Sequence, residues 1–250
     1  MTGPAAPRPP HAVVLDTDGV LLDSASVHAA AWKTAFDACL DVLDGQAPFD
    51  ADAEYRRFVD GRPRYDGAAA FLASRGLDLR PGEPSDPPGC GTVWAVAARK
   101  EQAFQDVLHT VTGFDDAAEA LADLRSLGVP RAAVSASRHA RDLLAAAGLD
   151  RLLTAVVDGT DSARLGLPGK PDPALFLHAA GVLGTGPGDT AVVEDALAGV
   201  RAGRRGGFGV VAGIDRTPDR HAGPALREAG ATLIVPDLTT LVRSVWGERG

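Results

Sequence analysis

The stretch His11-Ala-Val-Val-Leu-Asp-Thr-Asp-Gly19 is an apolar run that ends in two acidic residues and a glycine. Such a run is typical of a buried parallel strand with acidic groups at its carboxyl end. Similar runs lie at 132–135, 154–158, 190–195, 209–214 and 232–237. Helical patterns separate them, at 116–127, 138–147, 173–183, 196–204, 219–229 and 238–246. This alternation predicts an α/β fold with a doubly wound, mostly parallel sheet.

Residues 24–113 interrupt the alternation after the first strand. They show helical patterns, a Pro- and Gly-rich loop at 81–91 and no obvious strand; the helical patterns lie at 26–43, 52–59, 66–75 and 92–108. A crossover between parallel strands needs only about a dozen residues. We therefore predict a core domain from 1–23 and 114–250, with an inserted α-helical domain at 24–113.

Composition and net charge indicate which kinds of molecule the chain is unsuited to bind. The chain has 250 residues, 45% of them hydrophobic and 23% charged, as expected of a globular protein. Its net charge of −8 opposes binding to nucleic acid or to an anionic membrane surface. No apolar stretch approaches the roughly 20 residues of a membrane span, and the Pro-rich start lacks the apolar segment of a signal peptide. We expect a cytoplasmic protein, and a monomer as the simplest state.

The two cysteines, Cys39 and Cys90, are too few for a disulfide framework, and neither has a histidine nearby in sequence. We expect packed or exposed thiols rather than nucleophiles. The six histidines show no zinc-like spacing. Only three of the 25 basic residues are lysines, so these are candidates for tasks that need a compact ammonium group; they are Lys33, Lys100 and Lys170.

The acidic pair Asp16 and Asp18 is the sharpest motif. Residues i and i+2 of a strand point the same way, so both carboxylates could face one site. A divalent cation would relieve their repulsion, and oxygen-only ligands favour Mg²⁺. Alone, such a motif marks a turn more often than a functional site.

Three later motifs change this interpretation. Glu194-Asp195 ends another strand, Ser135 ends a third, and Lys170 precedes a helix. Each alone also fits a helix cap or a surface charge. A phosphate-binding P-loop is excluded around Lys170, because Arg164 and Pro171 replace its required residues.

In chain order, the motifs Asp16-x-Asp18, Ser135, Lys170 and Glu194-Asp195 resemble those of the haloacid dehalogenase (HAD) superfamily of phosphotransferases over residues 11–237. The helical insertion resembles that family's cap domain. The resemblance implies that Asp16 attacks phosphorus and forms an aspartyl-phosphate, while Asp18 acts as general acid/base. It also implies that Ser135 and Lys170 hold the transferring phosphoryl group.

The same resemblance implies a Mg²⁺ cofactor. Its ligands would be Asp16, Asp195 and the backbone carbonyl of Asp18. Glu194 would support this metal shell.

Within the superfamily, the chain is most similar to the β-phosphoglucomutase-like branch, through 16–24, His28-x-x-x-Trp32, 61–66, 99–100, 135–138 and 169–173. The resemblance implies that Arg64 binds the substrate's distal phosphate and that His28 couples cap closure to Asp18. Lys100 would reach into the cleft from the cap and Arg138 from the core. Gly61 and Ser137 complete the predicted substrate-binding residues.

Two reactions fit these residues best. A mutase would convert β-D-glucose 1-phosphate to glucose 6-phosphate through the 1,6-bisphosphate, and it needs a second anion site, for which Arg64, Lys100 and Arg138 are candidates. A phosphatase of sugar phosphates or other small metabolites would admit water instead. A haloacid dehalogenase would need neither Asp18 nor Mg²⁺. A phospho-receiver module would be about half as long and would lack a cap over its acidic site.

Overall fold

The computed structural model describes residues 8–43, 46–216 and 222–247. The strands are β1 (Ala12–Asp16), β2 (Leu22–Asp23), β3 (Thr112–Gly113), β4 (Arg131–Val134), β5 (Ala155–Val157), β6 (Thr190–Glu194), β7 (Val210–Ile214) and β8 (Leu233–Val235). The α-helices are α1 (Ala25–Leu43), α2 (Arg64–Ser74), α3 (Val93–Val107), α4 (Asp115–Ser126), α5 (Ala140–Ala146), α6 (Gly159–Leu165), α7 (Ala174–Val182), α8 (Leu197–Arg205), α9 (Ala222–Ala229) and α10 (Leu238–Trp246).

Six strands form one parallel sheet in the order β5-β4-β1-β6-β7-β8. The central strand β1 is buried along its whole length. Val13 and Leu15 face one hydrophobic cluster, and Val14 faces another on the opposite side of the sheet. Because both faces of the sheet are covered, the doubly wound α/β prediction is confirmed.

The helices α1, α2 and α3 pack around a hydrophobic cluster of their own, which includes Trp32, Phe36 and Phe71. The chain enters and leaves this helical layer through the short antiparallel pair β2–β3. Our expectation of no strand within 24–113 is wrong for residues 112–113, because Thr112 and Gly113 pair with Asp23 and Leu22. The proposed domain limits themselves stay a prediction.

The two cysteines form a disulfide bond, so the expectation of free thiols is wrong. Their Cα atoms lie 5.2 Å apart, well within disulfide range. Cys39 is in α1, and Cys90 lies in a bend near the end of the 81–91 loop, just before α3. The fold of this loop against α1 brings together two residues that are 51 positions apart in sequence.

Several helices differ from their predicted limits. Residues 52–59 form a short π-helix at Tyr55–Val59, and the pattern at 138–147 becomes helical only from Ala140. Helix α6 was not predicted; it is capped by Asp158, whose side chain accepts from two backbone N–H groups. Residues 219–221 of the predicted helix 219–229, and most of the Pro-rich start, lie outside the described residues. Within the described part of the chain, no helix is long and apolar enough to cross a membrane.

Candidate active site

The carboxyl ends of β1, β4 and β6 lie beneath the helical layer, and a cavity of about 440 Å³ separates the two. Ten of the predicted site residues line this cavity: Asp16, Asp18, His28, Gly61, Arg64, Lys100, Ser137, Arg138, Lys170 and Asp195. Ser135 and Glu194 do not line it, and they are 1% and 0% exposed. The structure therefore brings the core motifs and the cap residues together around one space.

Lys170 joins two of the carboxylates at the floor of the cavity. Its Nζ donates to Asp16 Oδ1 and to Glu194 Oε1, the latter at 2.5 Å. Burial opposes a charge on Lys170, but Asp16 and Glu194 outweigh burial and raise the pKa of the ammonium group above 10.5. Lys170 is therefore a fixed positive charge next to Asp16.

An oxygen atom from each of Asp16, Glu194 and Asp195 lies within 4.8 Å of the others. Burial raises the pKa of Asp195 well above 3.8, and the nearby carboxylates of Asp60 and Glu194 raise it further. A buried, oxygen-only group with excess negative charge fits a hard divalent cation. The side chain of Asp18 is not part of this group.

Backbone geometry brings Asp195 close to the first motif. Gly19 has φ +76°, and a Cβ there would lie 1.8 Å from Asp195 Oδ2. Any larger residue at position 19 would displace this carboxylate. Glu194 is held from the other side, since its Oε2 accepts from the backbone N–H groups of Asp195 and Ala196.

Asp18 points away from the acidic group toward three other side chains. Its Oδ1 accepts from the Ser24 hydroxyl and lies 3.4 Å from His28 Nε2, and its Oδ2 accepts from the Ser135 hydroxyl at 3.3 Å. Burial opposes ionisation, but His28 and the Ser24 hydrogen bond together lower the pKa of Asp18 below 3.8. Asp18 is thus an ionised carboxylate that accepts hydrogen bonds from Ser24 and Ser135 in this structure.

His28 connects Asp18 to the helical layer. Lys100 Nζ lies 3.0 Å from His28 Nδ1, and the imidazole stacks on Phe104 at 4.2 Å between ring centroids. An ammonium group can only donate, so Nδ1 accepts and the ring hydrogen is on Nε2, the atom nearest Asp18. Burial lowers the pKa of Lys100 to about 8.

A second cluster spans the cleft further from Asp16. Glu101 in α3 accepts hydrogen bonds from Arg64 Nη1 at the start of α2 and from His139 Nε2 at the start of α5. Close by, Ser137 and Arg138 line the cavity from the core side. The backbone N–H of Ser137 donates to the Ser135 hydroxyl at 3.0 Å.

Among the residues at the site that were not predicted from sequence are Tyr55, Asp60, Glu101 and His139. Burial raises the pKa of Asp60 to about 6, and the charges of Glu194 and Asp18 add to this rise. Asp60, Glu101 and His139 are each next in sequence to a predicted site residue, and this is the only sequence feature that could have indicated them. No feature of the sequence indicates Tyr55.

The haloacid dehalogenase-like hydrolase family matches residues 10–207 of the chain. A β-phosphoglucomutase of Mycobacterium bovis is 41% identical over 94% of this chain and 93% of its own length. A validoxylamine A 7'-phosphate phosphatase of Streptomyces hygroscopicus is 32% identical over 90% of this chain and 93% of its own. The crystal structure of a HAD family hydrolase from Deinococcus radiodurans, with bound phosphate and sodium, superposes with a TM-score of 0.67 at 29% identity, covering 95% of this chain and 96% of that one.

Proposed function

The chain belongs to the haloacid dehalogenase-like hydrolase family, and on that premise we propose that it is a β-phosphoglucomutase. Its relatives include both phosphomutases and phosphatases that act on phosphorylated carbohydrates, so phosphoryl-transfer chemistry is shared by the group. The proposed reaction converts β-D-glucose 1-phosphate to glucose 6-phosphate through the 1,6-bisphosphate. The observation that carries the proposal is a second cationic group, Arg64 with Lys100 and Arg138, in the same cavity as Asp16.

Asp16 is the proposed nucleophile. A carboxylate oxygen of Asp16 would bond to phosphorus as the bond from phosphorus to the sugar oxygen breaks, leaving an aspartyl-phosphate. Lys170, which already contacts Asp16, would neutralise charge on the attacking oxygen and on the phosphoryl group. Ser135 is the proposed hydroxyl donor to that group.

The proposed cofactor is Mg²⁺, held by Asp16, Asp195 and the backbone carbonyl of Asp18 and supported by Glu194. When bound, it would supply the positive charge that the buried carboxylates lack. Glu194 also positions Lys170, because its Oε1 accepts a hydrogen bond from Lys170 Nζ.

Asp18 is the proposed general acid/base. As a carboxylate it would take the proton of the sugar hydroxyl that attacks the aspartyl-phosphate, and in the opposite direction it would return that proton to the leaving oxygen. The contact with His28, and through it with Lys100 of α3, ties the position of Asp18 to the cap.

Arg64 is the proposed ligand of the phosphate that does not react. A mutase must release its bisphosphate intermediate and bind it again the other way round, so it needs two anion sites. A guanidinium group recognises a phosphate with two parallel hydrogen bonds. A sugar-phosphate phosphatase is the second candidate, because the relative from Streptomyces hygroscopicus is a validoxylamine A 7'-phosphate phosphatase.

Phosphorus NMR separates the two candidates. The protein is incubated with Mg²⁺, β-D-glucose 1-phosphate and a trace of glucose 1,6-bisphosphate. Conversion to glucose 6-phosphate with little inorganic phosphate supports the mutase. Inorganic phosphate without isomerisation would overturn it in favour of the phosphatase.

A further inference from the structure

Glu101 lies between the two halves of the cleft and contacts both. One carboxylate oxygen accepts from Arg64 in the helical layer, and the other accepts from His139 in the core. The three side chains are 28%, 22% and 23% exposed for Arg64, Glu101 and His139, so solvent and small ligands reach them. Glu101 also lines the same cavity as Asp16.

The surroundings of Glu101 favour an anion. Burial opposes its ionisation, but the hydrogen bonds from His139 and the charge of Arg64 outweigh burial, and the pKa of Glu101 falls below 4.5. Lys100, the preceding residue, adds a further positive charge. The carboxylate of Glu101 thus has two hydrogen-bond donors, Arg64 and His139, and two nearby cationic side chains, Arg64 and Lys100.

We propose that Glu101 is an internal anion, which occupies the second phosphate site in the ligand-free protein and is displaced by the substrate's non-reacting phosphate. This inference rests on the proposed function, since it takes Arg64 as the ligand of that phosphate. Glu101 is then a specificity-determining residue, because any ligand must compete with it for Arg64.

The competition favours phosphate over weaker anions. A phosphate monoester carries a charge of about −1.5 to −2 and three acceptor oxygens, whereas a carboxylate carries one charge and two oxygens. A ligand that presents no phosphate to Arg64 brings no anion to the site and leaves Glu101 on Arg64. The bridge from Arg64 through Glu101 to His139 also joins the helical layer to the core before any ligand binds.

The test is the affinity of the protein for inorganic phosphate, measured by isothermal titration calorimetry without Mg²⁺. Omission of Mg²⁺ removes the metal's contribution to phosphate binding near Asp16, and the part of the binding that is lost in Arg64→Ala reports the cap site. Glu101→Gln, which removes the charge and keeps the shape, should bind phosphate about three- to tenfold more tightly than the wild type. Equal or weaker binding would overturn the proposal.

Three further variants sharpen the result. Glu119→Gln makes the same change of net charge on the exposed face of α4 and should bind phosphate as the wild type does. In an Arg64→Ala background, the gain from Glu101→Gln should shrink to less than about twofold, because the contested donor is gone. A gain that persists at full size there would contradict competition for Arg64. Glu101→Asp, too short to reach both partners, should fall between wild type and Glu101→Gln.

This experiment is independent of turnover. Phosphorus NMR of the wild type tests whether the enzyme is a mutase, and phosphate binding by the variants tests the role of Glu101. An enzyme that releases inorganic phosphate yet shows tighter binding in Glu101→Gln would refute the mutase and keep the internal anion.

Discussion

Gly199, in the first turn of α8, lies directly against the side chain of Glu194. A Cβ atom on residue 199 would be 1.7 Å from Glu194 Oε1, the same atom that accepts a hydrogen bond from Lys170. The absence of a side chain at position 199 is therefore a condition for the buried ion pair next to Asp16.

Gly199→Ala should lower the free energy of unfolding by about 2 to 4 kcal/mol, because Glu194 must move and leave Lys170 with one partner. The matched control is Gly181→Ala in α7, where an added Cβ meets nothing within 4 Å. That change should stabilise the protein by about 0.5 to 1 kcal/mol. Urea unfolding of both variants measures the difference, and equal midpoints would contradict the close contact.

Lys100→Met should stabilise the fold at neutral pH. The folded state lowers the pKa of Lys100 from 10.5 to about 8, so folding costs free energy wherever the lysine is protonated. This cost is full below about pH 8 and disappears as the pH rises toward 10.5, amounting to about 3 kcal/mol at pH 7.

Unfolding curves at pH 7 and near pH 10.5 test this prediction. Lys100→Met should have a higher free energy of unfolding than the wild type at pH 7, and the same free energy of unfolding near pH 10.5. Lys33→Met is the control, because Lys33 is 44% exposed and its partners, the Asp37 carboxylate and the Phe49 carbonyl, lie near the surface of the helical layer. A gain of equal size at both pH values would argue against titration of Lys100.

Arg64→Ala should raise KM for β-D-glucose 1-phosphate by about ten- to a hundredfold and change kcat much less, because the lost contacts bind a group that does not react. Steady-state kinetics separate the two parameters. Arg80→Ala, an exposed arginine of the same helical insertion, should leave both unchanged. A large fall in kcat with KM intact would instead place Arg64 at the reacting phosphoryl group.

Asp16→Asn should abolish the phosphoenzyme and reduce turnover by at least about a thousandfold, since an amide oxygen is a much weaker nucleophile than a carboxylate. Intact-protein mass spectrometry after mixing with glucose 1,6-bisphosphate and Mg²⁺ detects the phosphoenzyme. Asp123→Asn, on the exposed face of α4, is the matched control. Phosphorylation that persists in Asp16→Asn would refute the assignment of the nucleophile.

Reduction of the disulfide between Cys39 and Cys90 should lower the free energy of unfolding by about 2 to 4 kcal/mol, because the unfolded chain regains the freedom of a long loop. Thermal unfolding with and without dithiothreitol measures the effect. The double variant Cys39→Ser/Cys90→Ser should unfold at the same temperature in both buffers. An unchanged wild-type midpoint after complete reduction, verified by thiol titration, would contradict this expectation.

The sheet and the floor of the site could be predicted because their signals are local. Each parallel strand consists mainly of apolar residues, and Asp16 and Glu194 are the last residues of two of them. Parallel strands bring these ends to one edge, so position along the chain was enough to bring the motifs together.

Features formed between distant residues could not be predicted in this way. The pairing of Leu22 with Gly113 involves strands of two residues, too short to show any periodicity. Glu101 and His139 are 38 positions apart, and neither residue carries a local pattern that marks their contact. The link between Cys39 and Cys90 depends likewise on how the 81–91 loop folds against α1.

The β2–β3 pair has a consequence for how such a protein can be altered. The chain leaves the sheet at Leu22–Asp23 and returns beside it at Thr112–Gly113, so the two ends of the insertion are already adjacent. A few residues of turn would suffice to close that gap, and none of the six sheet strands would lose a neighbour. The helices that carry Arg64 and Lys100 should therefore be a replaceable module, and exchange of this module at the same two positions should change substrate choice while leaving Asp16, Lys170 and Glu194 in place.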